Sequence, residues 1–157
     1  MVNIHIVGTG TIGGPLINQY NEHKEELGID RLSFQKHSAK RGDSPKIKRL
    51  IGGGAILAAE ESTFNSFRQY GIEPGLGSEQ ALLEADVVID CTPYGNQIKE
   101  DVYLKPSVLE STRGFIAQGS EKGFGKPYAR GITDEALEPG VDKFLQIVSC
   151  NTHLYAS

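Results

Sequence analysis

Two stretches near opposite ends of this sequence hold residues whose types and spacing can do chemistry. The first is Gly8-Thr9-Gly10-Thr11-Ile12-Gly13, a G-x-G-x-x-G string directly after the apolar run at residues 2–7. At this spacing Gly8 permits a tight turn, Gly10 lets a pyrophosphate approach the backbone, and Gly13 lets a helix pack close to the strand. The freed N–H groups and the positive end of the helix dipole then face the phosphates. Without a ligand, the same string is only a glycine-rich turn. The second stretch is Cys150-Asn151-Thr152, which follows the apolar run at 143–149. A helix N-terminus there would stabilise a thiolate, the reactive form of cysteine. Asn151 and neighbouring N–H groups could hold an oxyanion. The competing reading is a buried structural thiol.

A third stretch, Gln35-Lys36-His37-Ser38-Ala39-Lys40-Arg41, ends the second expected strand and has no carboxylate until Asp43. In dinucleotide-binding units this position selects the cofactor: an acid accepts from the 2′-hydroxyl of NAD, and basic or hydroxyl groups accommodate the 2′-phosphate of NADP. Lys36, Ser38 and Arg41 could pair with that phosphate. The expectation is NADP, or use of both NADP and NAD, with a solvated basic loop as the competing reading.

Strands are expected at residues 2–7, 31–36, 55–58, 86–91, 114–118 and 143–149, from period-two alternation or short β-branched runs. Leu32 and Phe34 share a face of the second. Helices are expected after Gly13, where Pro15 is tolerated in the first turn and Leu16, Ile17 and Tyr20 face the sheet. Others are expected over 60–70, with Ser62 or Thr63 as cap and Phe64 and Phe67 as core, and after Ser78 as cap, with Ala81, Leu82 and Ala85 inward. A short helix is expected at 133–137. Residues 43–54 read as a polar, glycine-rich loop with at most one helical turn, and 71–77 as a connector. This alternation predicts an α/β fold: a Rossmann-type, doubly wound, mostly parallel sheet with helices on both faces. Ligands of such sheets bind at the carboxyl ends of the strands, where Thr92-Pro93-Tyr94-Gly95 and Gln118-Gly119 stand.

The chain has 157 residues, enough for one well-packed domain and too few for two ordinary ones. Its formal net charge of -4 argues against nucleic acid as the main partner. No apolar run reaches the length of a membrane span, and no signal peptide is recognisable. Two cysteines make neither a disulfide framework nor a zinc site, so no metal is expected and the cytoplasm is the expected compartment.

Ser149-Cys150-Asn151-Thr152 resembles the active-site cysteine motif of glyceraldehyde-3-phosphate dehydrogenases. The 8–13 glycine string, Asp90-Cys91-Thr92-Pro93 with Gly95, and Gln118-Gly119 with Glu121-Lys122 resemble, in order, motifs of the archaeal-type (class II) branch of that family. The resemblance covers the whole chain but only the family's N-terminal, NAD(P)-binding half. It implies that Cys150 attacks the aldehyde of glyceraldehyde 3-phosphate to form a thiohemiacetal. Hydride then passes to the nicotinamide, and phosphate releases the thioester as 1,3-bisphosphoglycerate. It also implies that Lys36 and His37 hold the 2′-phosphate, and that Thr92, Gln118 and Gly119 border the nicotinamide.

Three positions depart from the family pattern: His37 and His153 stand where a Thr is usual, and Ser120 where a Gly is usual. His153 is not assigned as a general base, because its direction from the nucleophile is not set. The cofactor site is therefore expected from Gly8, Gly10, Thr11, Ile12, Gly13, Lys36, His37, Ser38, Thr92, Gly95, Gln118 and Gly119, with Cys150 and Asn151 catalytic. The second domain, which carries the family's catalytic histidine and phosphate-binding arginines, is expected to be missing after Ser157. The chain is then expected to bind cofactor and be nearly inactive alone, acting on glyceraldehyde 3-phosphate and phosphate only with the second domain supplied. Self-association or a complementary chain is expected to cover the surface left open. Two alternatives stand beside this: another cysteine-dependent aldehyde dehydrogenase of the same fold, and a non-catalytic dinucleotide-binding or interaction module.

Overall fold

A computed structural model describes residues 1–118 and 121–148. Strand β1 (Val2–Val7) leads through α1 (Gly13–Glu22) to β2 (Ile29–Gln35), and α2 (Ser44–Gly52) leads to β3 (Ile56–Ala59). There follow α3 (Phe64–Arg68), β4 (Leu76–Gly77), α4 (Ser78–Leu83) and β5 (Val87–Asp90). Then come α5 (Gly95–Ile98), a π-helical turn over Lys99–Tyr103, α6 (Pro106–Ser111), β6 (Gly114–Ala117), β7 (Lys126–Tyr128) and β8 (Phe144–Ile147).

The described strands form one sheet in the order β4-β3-β2-β1-β5-β6-β8-β7, and every pairing is parallel. The chain winds outward from β1 to β4, then returns to lay β5 on the other side of β1. That reversal makes the carboxyl ends of β1 and β5 the topological switch point, where such sheets open a crevice.

Alternate residues of each central strand enter different cores. Ile6, Leu32, Phe34, Leu57 and Ile89 are buried with Ile17 of α1, Ile47 and Leu50 of α2, and Phe67 of α3. Val7, Val88, Phe115 and Ala117 are buried on the opposite face with Leu82 of α4, Tyr103 and Val108. The doubly wound sheet with helices on both faces is thus present, with every described pair parallel. Phe67 is core and Phe64 packs against it, as the sequence predicts.

Local expectations fail in three places. Residues 43–54 are not mainly loop: Pro45 occupies the first turn of α2, and Ile47 and Leu50 at helical spacing bury one face against the sheet. Ser78 does not cap α4; Gly77 is the N-cap, and the Ser78 hydroxyl is buried without a partner. Neither Ser62 nor Thr63 caps α3 by its side chain, because the Thr63 hydroxyl donates to the Glu60 carbonyl at 2.7 Å. The strand β7 was not foreseen, since its three residues Lys126, Pro127 and Tyr128 show no alternation.

Candidate functional site

The glycine string forms the turn between β1 and α1, beside the loop that leaves β5. Gly8 has φ +98°, a conformation that L side chains rarely adopt, and a Cβ there would lie 3.1 Å from the Thr92 methyl. A Cβ on Gly13 would lie 2.1 Å from the Gly8 carbonyl oxygen, so only glycine lets α1 start this close to β1. Gly10 is different: a Cβ there would meet nothing within 4 Å, and the residue is exposed. Its missing side chain relieves no internal crowding, so it leaves room for something outside the protein. No side chain caps α1, and no acidic residue stands in its first turn. The helix start is therefore polar, positive and open, as a pyrophosphate requires. Thr11 and Ile12 sit exposed on the same turn, and Thr9 is buried.

The loop after β5 is held by one buried carboxylate. Asp90 Oδ1 accepts from the Thr92 backbone N–H at 2.9 Å and from the Thr92 hydroxyl at 2.7 Å. Its Oδ2 accepts from the Tyr103 hydroxyl at 2.6 Å, and both Asp90 and Tyr103 are fully buried. Burial and the Asp90 carboxylate push the Tyr103 hydroxyl well above its usual pKa, so it stays a donor. Gln118, just past β6, donates from Nε2 to the Thr92 carbonyl at 2.9 Å. Gly95 opens α5 against Glu121 and Asp90; a Cβ would come 3.2 Å from the Glu121 side chain, whose Oε2 accepts from the Asn96 N–H at 2.8 Å.

Thr92, Gly95 and Gln118 are thus drawn together next to the glycine turn. Gly119, Cys150 and Asn151, with Ser120 and His153, lie outside the described residues. Cys91 is not a candidate nucleophile: burial, with Asp90 beside it, pushes its thiol up to about 11.

Lys36, His37 and Ser38 follow β2, with Lys36 half-buried and the other two exposed. Lys36 does not stand free. Its Nζ lies 3.0 Å from Asp43 Oδ2, so the first carboxylate after the basic run folds back onto it. His37 and Gln35 line a cavity of about 290 Å³ whose floor includes Val7, Leu82 and Val108. Beside the glycine turn, Gly10, Thr11, Asn18, Lys46 and Arg49 border a hollow of about 600 Å³. Lys46 also donates to the Thr9 carbonyl.

Sequence reasoning missed Lys46, Arg49, Gln35 and the Asp90–Tyr103 pair. Asp90 two residues before Thr92 is a legible turn signal, because a short carboxylate caps the backbone two residues on. Nothing in the sequence points to Tyr103. Among the described residues, no group of three or more His, Cys, Asp and Glu is placed to hold a metal, and no helix is long and apolar enough to cross a membrane.

No family model matches the chain. It is 25% identical over 154 residues to a glyceraldehyde-3-phosphate dehydrogenase of Saccharolobus solfataricus, covering 97% of this chain and 42% of that protein. It is 22% identical over 156 residues to a glyceraldehyde-3-phosphate dehydrogenase of Pyrobaculum islandicum, covering 97% of this chain and 41% of that protein. The chain therefore spans about two fifths of the length of these curated relatives. Over nearly all of its own length, this parallel α/β chain is similar to glyceraldehyde-3-phosphate dehydrogenases.

Proposed function

We propose that this chain is the nicotinamide-dinucleotide-binding part of a phosphorylating aldehyde dehydrogenase of the glyceraldehyde-3-phosphate dehydrogenase type. The observation that carries the reading is the contrast within the glycine turn. Gly13 is needed for packing, whereas Gly10 is needed only if a ligand lies against it. The turn and the uncapped start of α1 hold the pyrophosphate, and the Thr92 loop, fixed by Asp90 and Gln118, borders the nicotinamide. Lys36, Ser38 and Arg41 favour NADP, with NAD the alternative; the Asp43 carboxylate on Lys36 weakens that preference without abolishing it. The dinucleotide, when bound, supplies the hydride acceptor.

In this reading the Cys150 thiolate attacks the aldehyde carbon of glyceraldehyde 3-phosphate, and Asn151 helps to hold the oxyanion. Phosphate then releases the acyl group from sulfur. In this reading the groups that bind the substrate phosphates and activate the thiol are supplied by a second domain; the chain spans about two fifths of the length of the relatives it matches.

The test is a titration with NADPH and separately NADH, followed by cofactor fluorescence at two salt concentrations. Binding of both is expected, with NADPH tighter and its binding weakened more by salt. Equal affinities would remove the NADP assignment. Failure of both to bind would overturn the reading.

A further inference from the structure

The central face of the sheet holds a buried polar chain that packing does not explain. His5 on β1 pairs in register with Ser33 on β2, and Val7 with Gln35, so all four side chains share one face. His5 Nδ1 lies 2.8 Å from Ser33 Oγ and its Nε2 lies 3.3 Å from Gln35 Oε1. All three polar residues are buried. A valine would fill this position as well as an imidazole and would bring no polar atoms needing partners. Desolvation holds His5 down at about 4, so the ring is neutral at ordinary pH, with one donor nitrogen and one acceptor. With Gln35 Oε1 as acceptor, Nε2 carries the proton and Nδ1 accepts from the Ser33 hydroxyl.

This arrangement decides which end of the Gln35 amide is free. The oxygen is taken by His5, and the NH2 group is left to the cavity of about 290 Å³ that Gln35 lines. Glu60, Glu79 and Lys105 line the same cavity, so a carboxylate at position 35 would set three acids against one lysine, whereas an amide adds no charge. Gln35 is also the last residue of β2, roughly twenty residues beyond Gly13, which is where a dinucleotide site meets the adenosine ribose.

We propose that His5 is a positioning residue, which fixes the Gln35 amide so that its NH2 donates to the 2′-oxygen of the adenosine ribose of a bound nicotinamide dinucleotide. This rests on the dinucleotide-binding reading above. A donor suits both a hydroxyl and a phosphate oxygen at that position, unlike an acid, which accepts from the hydroxyl and repels the phosphate.

The test compares NADH with its 2′-deoxyadenosine analogue by reduced-nicotinamide fluorescence, which a chain with 0 Trp leaves uncluttered. The unsubstituted chain is expected to bind NADH roughly three- to tenfold more tightly than the deoxy analogue. Gln35→Leu and His5→Val are each expected to bring that ratio close to one, with affinity for the deoxy analogue nearly unchanged. A merely structural role for His5 would weaken both ligands in parallel and keep the ratio, which would overturn the proposal. Should His5→Val not fold, histidine ¹⁵N NMR of the unsubstituted chain decides. A proton on Nε2 of His5, with a signal that moves on adding NADH and less on adding the deoxy analogue, is expected; a proton on Nδ1, or a signal indifferent to the 2′-hydroxyl, refutes it. No binding of NADH or NADPH would fail the dinucleotide reading itself, whereas binding without discrimination fails this inference alone.

Discussion

At the scale of single residues, two charges behave differently from their isolated types. Lys36 looks like a free cation for a 2′-phosphate, but Asp43 shares it at 3.0 Å. Removing that competitor should strengthen binding only of the ligand that carries the 2′-phosphate. Asp43→Asn is expected to tighten NADPH by up to roughly fivefold and to leave NADH within about twofold, the range of a partly exposed pair. Equal changes for both cofactors would place the 2′-phosphate elsewhere. His5 carries a pH dependence of stability. Its folded pKa of about 4 lies below the ordinary imidazole value of 6.5, with burial the main cause and the Arg31 charge a smaller one. Above 6.5 both states are neutral and His5 makes no difference. As pH falls from 6.5 towards 4, the unfolded chain takes the proton first, so stability drops, and below about 4 the effect levels off. The full loss amounts to roughly 3 kcal/mol. Urea unfolding at pH 7 and pH 4.5 should show a steeper loss for the unsubstituted chain than for His5→Val, and equal slopes would refute the assignment.

At the scale of elements, the turn between β1 and α1 does two separable jobs. Gly13 joins helix to strand, and Gly10 faces outward. Gly13→Ala puts a methyl group against the Gly8 backbone and is expected to cost more than about 2 kcal/mol, or to prevent folding. Gly10→Ala meets no protein atom, so its melting temperature should match that of the unsubstituted chain while dinucleotide affinity falls at least about tenfold. A folded Gly10→Ala chain that binds as before would mean that no phosphate approaches there. The loop after β5 follows the same logic by different means. Asp90 is spent entirely inside the protein, on Thr92 and Tyr103, and so fixes the backbone beside the glycine turn without facing a ligand.

At the scale of the whole molecule, β1 lies between β2 and β5, and its alternate residues serve both cores. Stacked Phe115 and Phe144, with rings 4.7 Å apart, extend the second core towards β8. The outer strands are short: β4 has two residues and β7 three. Stability should therefore be graded from the centre outward. Amide hydrogen exchange is expected to be slowest in Ile4, Ile6 and Val88 and fastest among strand residues at Leu76 and Tyr128. Uniform protection across the sheet would contradict this gradient. The gradient also keeps the switch point, where the two ligand loops emerge, on the most rigid part of the chain.

The sequence by itself determined what is local. Alternation of apolar residues marks a strand, and the glycine turn is legible because its demands on φ and on space fall on positions a few residues apart. That sufficed for the α/β class and for the glycine turn, and it placed Phe67 in the core. It did not suffice for α2, whose polar composition hides the two residues, Ile47 and Leu50, that face the sheet. Tertiary structure alone decided the strand order, the partner of Lys36, the fit of Tyr103 on Asp90, and the reach of His5 to Gln35. These are meetings of side chains from Lys36 and Asp43, a loop apart, to His5 and Gln35 on different strands, or of strands brought into one register. Local periodicity says which face a residue takes, but only the packed sheet says what else arrives on that face.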